Sequence, residues 1–132
     1  MEQPVAYCFG KRVELPFDLA VARVKEALGE QGFGILSEID VQEKFREKLG
    51  VPFRPYRILG ACQPKLAHQA LSTELNLGVL LPCNVVVYVG DDDRTRVMAM
   101  DPVGAMGMVD NPALRVIAGE VKALLGKALE RL

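Results

Sequence analysis

Apolar residues recur along this chain at helical spacing. In residues 17 to 31 they return every three or four positions, which predicts a helix with one buried face. Residues 64 to 73 and the segment from residue 112 onward show the same spacing, and Pro64 and Pro112 each fit the first turn of a helix. The last helix is predicted to be long, with a core stripe made of Leu114, Ile117, Val121, Leu124, Leu125, Ala128 and Leu132.

A further helix is predicted between Asp40 and Gly50. Asp40 and Glu43 have the spacing of a capping box, in which each side chain bonds a backbone N–H at the start of a helix. Gly50 is typical of a helix end, and Pro52 prevents the helix from continuing. The apolar stripe of this helix consists of Val41, Phe45 and Leu49.

Strands are predicted between these helices. The residues from 83 to 90 are apolar on both faces, which favours a central position in a sheet. Asp91 to Asp93 then predict a hairpin turn. The order of elements predicts an α+β fold, a single domain over residues 1–132 with a mostly antiparallel five-stranded sheet packed by helices. The predicted strands cover residues 5 to 14, 33 to 39, 56 to 62, 83 to 90 and 94 to 101.

Composition narrows the classes of function. A formal net charge of -1 over 132 residues gives no long-range attraction for phosphate backbones, so we expect no nucleic-acid partner. No apolar run is long enough to cross a bilayer, and the N-terminus does not resemble a signal peptide. Three cysteines are an odd number without the spacing of a disulfide framework, which suits a reducing compartment. We therefore expect a cytoplasmic protein that does not bind membranes.

Several segments in a fixed order resemble the bacterial and archaeal domain-of-unknown-function 302 family. They are GFGILSEIDV (32 to 41), LGVPFRPYRILGACQPKLAHQAL (49 to 71), LLPCNVVVY (80 to 88) and AMDP (99 to 102). The resemblance implies a fold similar to the TATA-binding-protein half-domain, with an antiparallel sheet and a long C-terminal helix. It implies no assigned activity, and likeness of fold gives no reason to expect DNA binding. The family's cysteine before a proline-started helix is matched by Cys62 and Pro64, and its LPC motif by residues 81 to 83.

Two cysteines are the leading candidates for chemistry. Cys62 ends a predicted strand just before the helix that Pro64 begins, where free backbone N–H groups and the helix dipole would stabilise a thiolate. Lys65 would add positive charge there. Cys83 opens the next strand, and antiparallel pairing of the two strands would bring Cys83 close to Cys62. The alternative is that both are small buried residues, because free cysteine packs like a hydrophobe.

Other polar and sulfur-containing residues are also open to both a functional and a structural interpretation. His68, the only histidine, could act as a general base or a ligand, or could be a surface residue. Cys62, Cys83 and His68 do not match a zinc-binding spacing, so no metal site is predicted. Four methionines, which suit either Cu(I) or the filling of a core, surround Asp101: Met98, Met100, Met106 and Met108. No cofactor can be named from these residues.

Small residues line the outer face of the last helix. Interior glycines are unfavourable in helices, and small residues let another backbone approach closely. We therefore expect a homodimer through this face, although tolerated glycines on a solvated face are an alternative. The residues concerned are Val116, Gly119, Ala123 and Gly126.

Three functions remain open. The first is binding or sensing of a small ligand in a pocket near Cys62, Lys65, His68 and Cys83. The second is a redox protein or enzyme that uses the Cys62 thiolate with help from His68. The third is a structural dimerisation module without a pocket. The lack of a second histidine or a paired carboxylate favours binding over catalysis.

Overall fold

The computed structural model describes residues 1–132. Six strands form one sheet, five helices accompany it, and a 3-10 helix covers Leu75–Leu80. The strands are β1 (Glu2–Val5), β2 (Cys8–Val13), β3 (Gly34–Asp40), β4 (Tyr56–Cys62), β5 (Cys83–Val89) and β6 (Thr95–Met100). The helices are α1 (Phe17–Glu30), α2 (Val41–Leu49), α3 (Pro64–Thr73), α4 (Pro102–Ala105) and α5 (Pro112–Glu130).

The sheet is antiparallel throughout, in the order β1-β2-β6-β5-β4-β3. The expectation of five strands was therefore wrong by one. The strand predicted over residues 5 to 14 is β2, and the additional strand is β1, which precedes it and turns back at Ala6 and Tyr7 to pair with it. That turn lacks the glycine, asparagine or aspartate that usually marks one. Pro4 is tolerated because β1 is an edge strand.

Helices α1 and α5 cover one face of the sheet and form the main core with it. Buried residues of α1, such as Val24 and Leu28, meet Leu125 and Leu129 of α5 above the central strands. The predicted core stripe of the last helix agrees with the burial of Leu114, Leu125 and Ala128. Two residues outside that stripe, Ala118 and Leu129, are also buried. The sheet contributes to this core with the side chains of Phe9, Val13, Leu59, Ala61, Val85, Val87, Val97 and Ala99.

The opposite face of the sheet, which we call the open face, contributes no residue to either buried cluster. Side chains alternate between the two faces of each strand, so the register of the sheet identifies its members on β2 to β6. They are Cys8, Gly10, Arg12, Ser37, Ile39, Tyr56, Ile58, Gly60, Asn84, Val86, Tyr88, Arg96, Met98 and Met100.

Helix α2 begins after Asp40 and ends at Gly50 as predicted, but only the Asp40 half of the capping box forms, and the helix is poorly covered. The Asp40 side chain accepts a hydrogen bond from the Glu43 amide, and Gly50 ends the helix in the left-handed conformation with φ of 65°. None of the residues of α2 is buried, and Leu49 is 68% exposed. The apolar stripe of this helix therefore lacks a full partner within the chain.

No helix of the structure has both the length and the apolar character that a membrane crossing requires.

Candidate functional site

An apolar cavity of about 270 Å³ lies on the helix-covered side of the sheet. It is bordered by α3, α5 and the ends of β4 and β5, and 15 of its 19 lining residues are hydrophobic. Leu66, Ala67 and Ala70 of α3 form one wall, and Ile117 and Ala118 of α5 form another. A cavity of this size, lined in this way, would take an uncharged apolar group.

Local sequence signals set the position of α3 beside this cavity. Pro64 occupies the first turn, where its missing N–H costs no hydrogen bond. The Gln63 side-chain oxygen accepts a hydrogen bond from the Leu66 amide at 2.8 Å and caps the helix. Gln63 also lines the cavity, where it supplies a polar side chain next to the end of β4. Sequence reasoning missed this residue because glutamine is not among the usual N-cap residues.

Both cysteines highlighted by the sequence line the cavity. Strands β4 and β5 are antiparallel neighbours in which Ala61 lies opposite Cys83, so Cys62 is adjacent to that pair. Cys62 is half-buried, whereas Cys83 is 6% exposed. Burial, with a smaller contribution from Cys62, raises the pKa of the Cys83 thiol to about 11. Cys83 is thus a neutral thiol near pH 7, suited to packing rather than to nucleophilic attack.

The structure separates the other two predicted site residues from this cavity. Lys65 and His68 are exposed, and neither is part of the cavity lining. Leu66 and Ala70 are the residues of α3 that face inward and are buried. The two polar side chains therefore project from the outer side of the helix, and a role for them at the site stays a prediction.

A buried carboxylate with a partly exposed lysine partner lies at the far end of β6, and the sequence did not reveal it. Asp101 is 2% exposed, and its Oδ2 accepts hydrogen bonds from Lys122 Nζ and Gln3 Nε2, both at 2.8 Å. Its Oδ1 accepts from the amides of Val103 and Gly104 and so caps α4. The pair ties β1, β6 and α5 together. The only sequence signal at this position is the dipeptide Asp101–Pro102, which predicts a capped turn and not a buried charge.

The third cysteine, Cys8, lies on the open face. Burial, followed by the negative charge of Asp101, raises the pKa of its thiol. Nowhere in the structure do three or more histidine, cysteine, aspartate or glutamate side chains come together as a metal site would require.

The family described as domain of unknown function DUF302 matches residues 9–132. The chain belongs to this family. A crystal structure of an uncharacterized conserved DUF302 protein from Bacillus stearothermophilus is 33% identical in sequence and superposes with a TM-score of 0.88. That similarity covers 95% of this chain and 97% of the other. No curated protein matches this DUF302 domain. The resemblance noted in the sequence is confirmed, as is an α+β fold with an antiparallel sheet and a C-terminal helix.

Proposed function

We propose that this DUF302 domain is a cytoplasmic protein that binds or senses a small apolar molecule in the cavity beside Cys62 and Cys83. The observation that carries the proposal is the cavity itself, about 270 Å³ in volume and lined almost wholly by hydrophobic side chains. An engineered apolar cavity of about 150 Å³ is known to bind benzene, so this one has room for a ligand of roughly ten carbon atoms. The three free cysteines fit a reducing compartment.

The chemistry of the lining limits what the ligand can be. A charged group would lose its hydration inside the cavity without gaining an ionic partner, because no charged residue lines it. Gln63 and the two thiols are the polar groups next to the cavity and could orient a single polar atom of the ligand. The ligand is therefore an uncharged, mostly hydrocarbon molecule.

A second candidate function is thiol chemistry. It is favoured by one observation, that Cys62 and Cys83 line the same cavity. Cys62 would be the reactive residue, since the Cys83 thiol is buried and its pKa is raised to about 11. Alkylation of Cys62 at a pH well below that of an ordinary thiol would support this function, and an ordinary rate would argue against it.

The third candidate is a structural module, for which the cavity would have no ligand. The family resemblance also implies a fold similar to the TATA-binding-protein half-domain. We keep that likeness as a proposal, and it gives no reason to expect DNA binding.

Titration with naphthalene, followed by saturation-transfer NMR, tests the binding function. We expect saturable binding to the wild-type protein at one site. Ala67→Leu places a larger side chain in the cavity and should weaken binding by roughly tenfold or more. Ala22→Leu, the same change on an exposed position of α1, is the matched control and should leave binding unchanged. Absence of saturable binding, or equal binding by Ala67→Leu, would refute the proposal.

A further inference from the structure

The open face is a second apolar surface, independent of the cavity. An antiparallel sheet with one free face normally carries polar side chains there. Here the central strands present Val86 and Tyr88 of β5, Ile58 of β4, and Met98 and Met100 of β6. Helices α1 and α5 cover only the other face, and of these side chains only Met98, which is 8% exposed, is buried; the others stay partly open to solvent.

The apolar surface continues from the sheet onto the neighbouring helix. Tyr56 and Tyr88 stack with ring centres 5.4 Å apart, Phe53 lies 6.1 Å from Tyr56, and Phe45 of α2 lies 5.0 Å from Phe53. Phe53 is 40% exposed and Leu49 is more exposed still. The partly covered stripe of α2 and the open face therefore form one continuous patch. A patch of this kind marks an interaction site in a folded protein.

Charge is nearly absent from the open face. On β2 to β6 of the open face only Arg12 and Arg96 are charged, and they lie opposite each other at one end. Arg96 Nη2 donates to Asp92 at 2.8 Å, while its Nη1 is buried without a hydrogen-bond partner. Interface cores are depleted of charged residues in the same way. A net charge of -1 also means that two copies of the chain meet with little long-range repulsion.

The dimensions of the open face suit a dimer. Six strands spaced by about 4.8 Å give a width of about 29 Å, and six residues rising about 3.3 Å each give a length of about 20 Å. The face therefore measures roughly 600 Å² per chain before α2 is added, which is the lower end of the roughly 600 to 1,000 Å² that a standard-size interface buries on each partner. This surface is apolar across its centre, where Tyr7, Val86 and Tyr88 border a hollow of about 570 Å³, and it can pack against its own copy around a two-fold axis.

We propose that this protein is a homodimer in which the open faces of two copies pack against each other. The two sheets would lie about 10 Å apart, as in other stacked sheets. The cavity beside Cys62 and Cys83 lies on the helix-covered side and stays accessible in this dimer. The proposal is therefore independent of ligand binding.

The mass of the protein in solution, measured by sedimentation equilibrium over a wide range of concentration, tests the proposal. We expect twice 14.5 kDa for the wild-type chain. Val86→Glu places a charge at the centre of the patch and should weaken dimerisation by roughly a hundredfold or more. Gly119→Gln is the control on the outer face of α5, where a new side chain meets no atom within 4 Å. It should leave the dimer intact.

Several outcomes would overturn the proposal. They are a monomer at every concentration, a dimer that Val86→Glu does not weaken, or a dimer that Gly119→Gln disrupts while Val86→Glu does not. The last result would place the interface on the small residues of α5. A monomeric chain purified with another protein or a nucleic acid on the open face would also overturn it.

A second measurement needs no variant and covers the case in which Val86→Glu fails to fold. Cys8 is half-buried on the open face, and the dimer would cover it. Its alkylation by iodoacetamide, followed by peptide mass spectrometry, should slow as the concentration of wild-type protein rises. Cys62, which lines the cavity and not the centre of the open face, should react at a rate that does not change. Equal rates for Cys8 at all concentrations would contradict the dimer.

Discussion

Asp101 is the residue whose replacement tests the packing of this fold most directly. Four hydrogen bonds converge on its carboxylate, from Lys122, Gln3 and the amides of Val103 and Gly104. In Asp101→Asn the oxygen of the amide can still cap α4. Its NH₂ group, however, replaces the acceptor that Lys122 and Gln3 use. The side chains of Lys122 and Gln3, both hydrogen-bond donors, then face the NH₂ group of the asparagine, a third donor, in a buried site.

The magnitude follows from the burial of each partner. Breaking a fully buried ion pair costs about 3–5 kcal/mol because the remaining charge is left without a partner. Lys122 is 37% exposed and can turn toward water, so its share of that cost is reduced. We expect Asp101→Asn to lower the free energy of unfolding by about 2–3 kcal/mol, a large part of the total for a small domain. Urea denaturation at neutral pH measures this, with the exposed Asp110→Asn as a control that should change little.

The dependence on pH gives a second check. Burial raises the pKa of Asp101, but the hydrogen bond from Lys122, the helix amides and the Lys122 charge together outweigh it, so the pKa is lowered. A carboxylate with a lowered folded-state pKa contributes its full stability above its unfolded pKa of about 3.9. That contribution is lost as the pH falls through the lowered value. The difference between wild type and Asp101→Asn should therefore be constant near neutral pH and shrink in acid. A variant as stable as wild type, or a difference that persists in strong acid, would refute the reasoning.

Two further predictions concern single contacts. A side-chain carbon added at Gly104 would lie 1.9 Å from the Ala6 carbonyl oxygen, so Gly104→Ala should destabilise the protein by about 1–3 kcal/mol in urea denaturation. A side-chain carbon at Gly29 would meet no neighbouring atom, so Gly29→Ala should instead stabilise α1 slightly. Equal stability of Gly104→Ala and Gly29→Ala would count against the packing described for α4. Cys83, buried and with a pKa of about 11, should be alkylated by iodoacetamide much more slowly than Cys62 near pH 8. Comparable rates for the two thiols would show that the cavity wall opens to solvent.

Where local signals are strong, the sequence predicted the fold well. The structure confirms the element boundaries predicted at Gly50, at Pro64 and at the three aspartates from residue 91. These boundaries were predictable because capping and turn formation depend on residues that are neighbours in sequence. The β1–β2 turn and the four-residue helix α4 were missed. The turn carries no typical turn residue, and α4 depends on the buried carboxylate of Asp101.

Tertiary features were predicted less completely. The apolar character of β5 on both faces correctly predicted a central position in the sheet, but it did not show that one of those faces is the open face. Periodicity reports which side chains avoid water and does not report what covers them. At the candidate site, antiparallel pairing of β4 and β5 allowed the two cysteines to be placed near each other. The cavity between α3 and α5 could not be foreseen, since it depends on how two distant helices pack.

The position of β2 has a consequence for how the chain folds during synthesis. Strands β3 to β6 pair with their neighbours in sequence and can assemble one after another as they leave the ribosome. Strand β2 inserts beside β6, with Cys8 opposite Met100, so almost the whole chain must emerge before the N-terminal strand finds its place. Pairing between such distant segments is slow. A nascent chain that stalls before Met100 would expose the apolar side of α1 and attract chaperones.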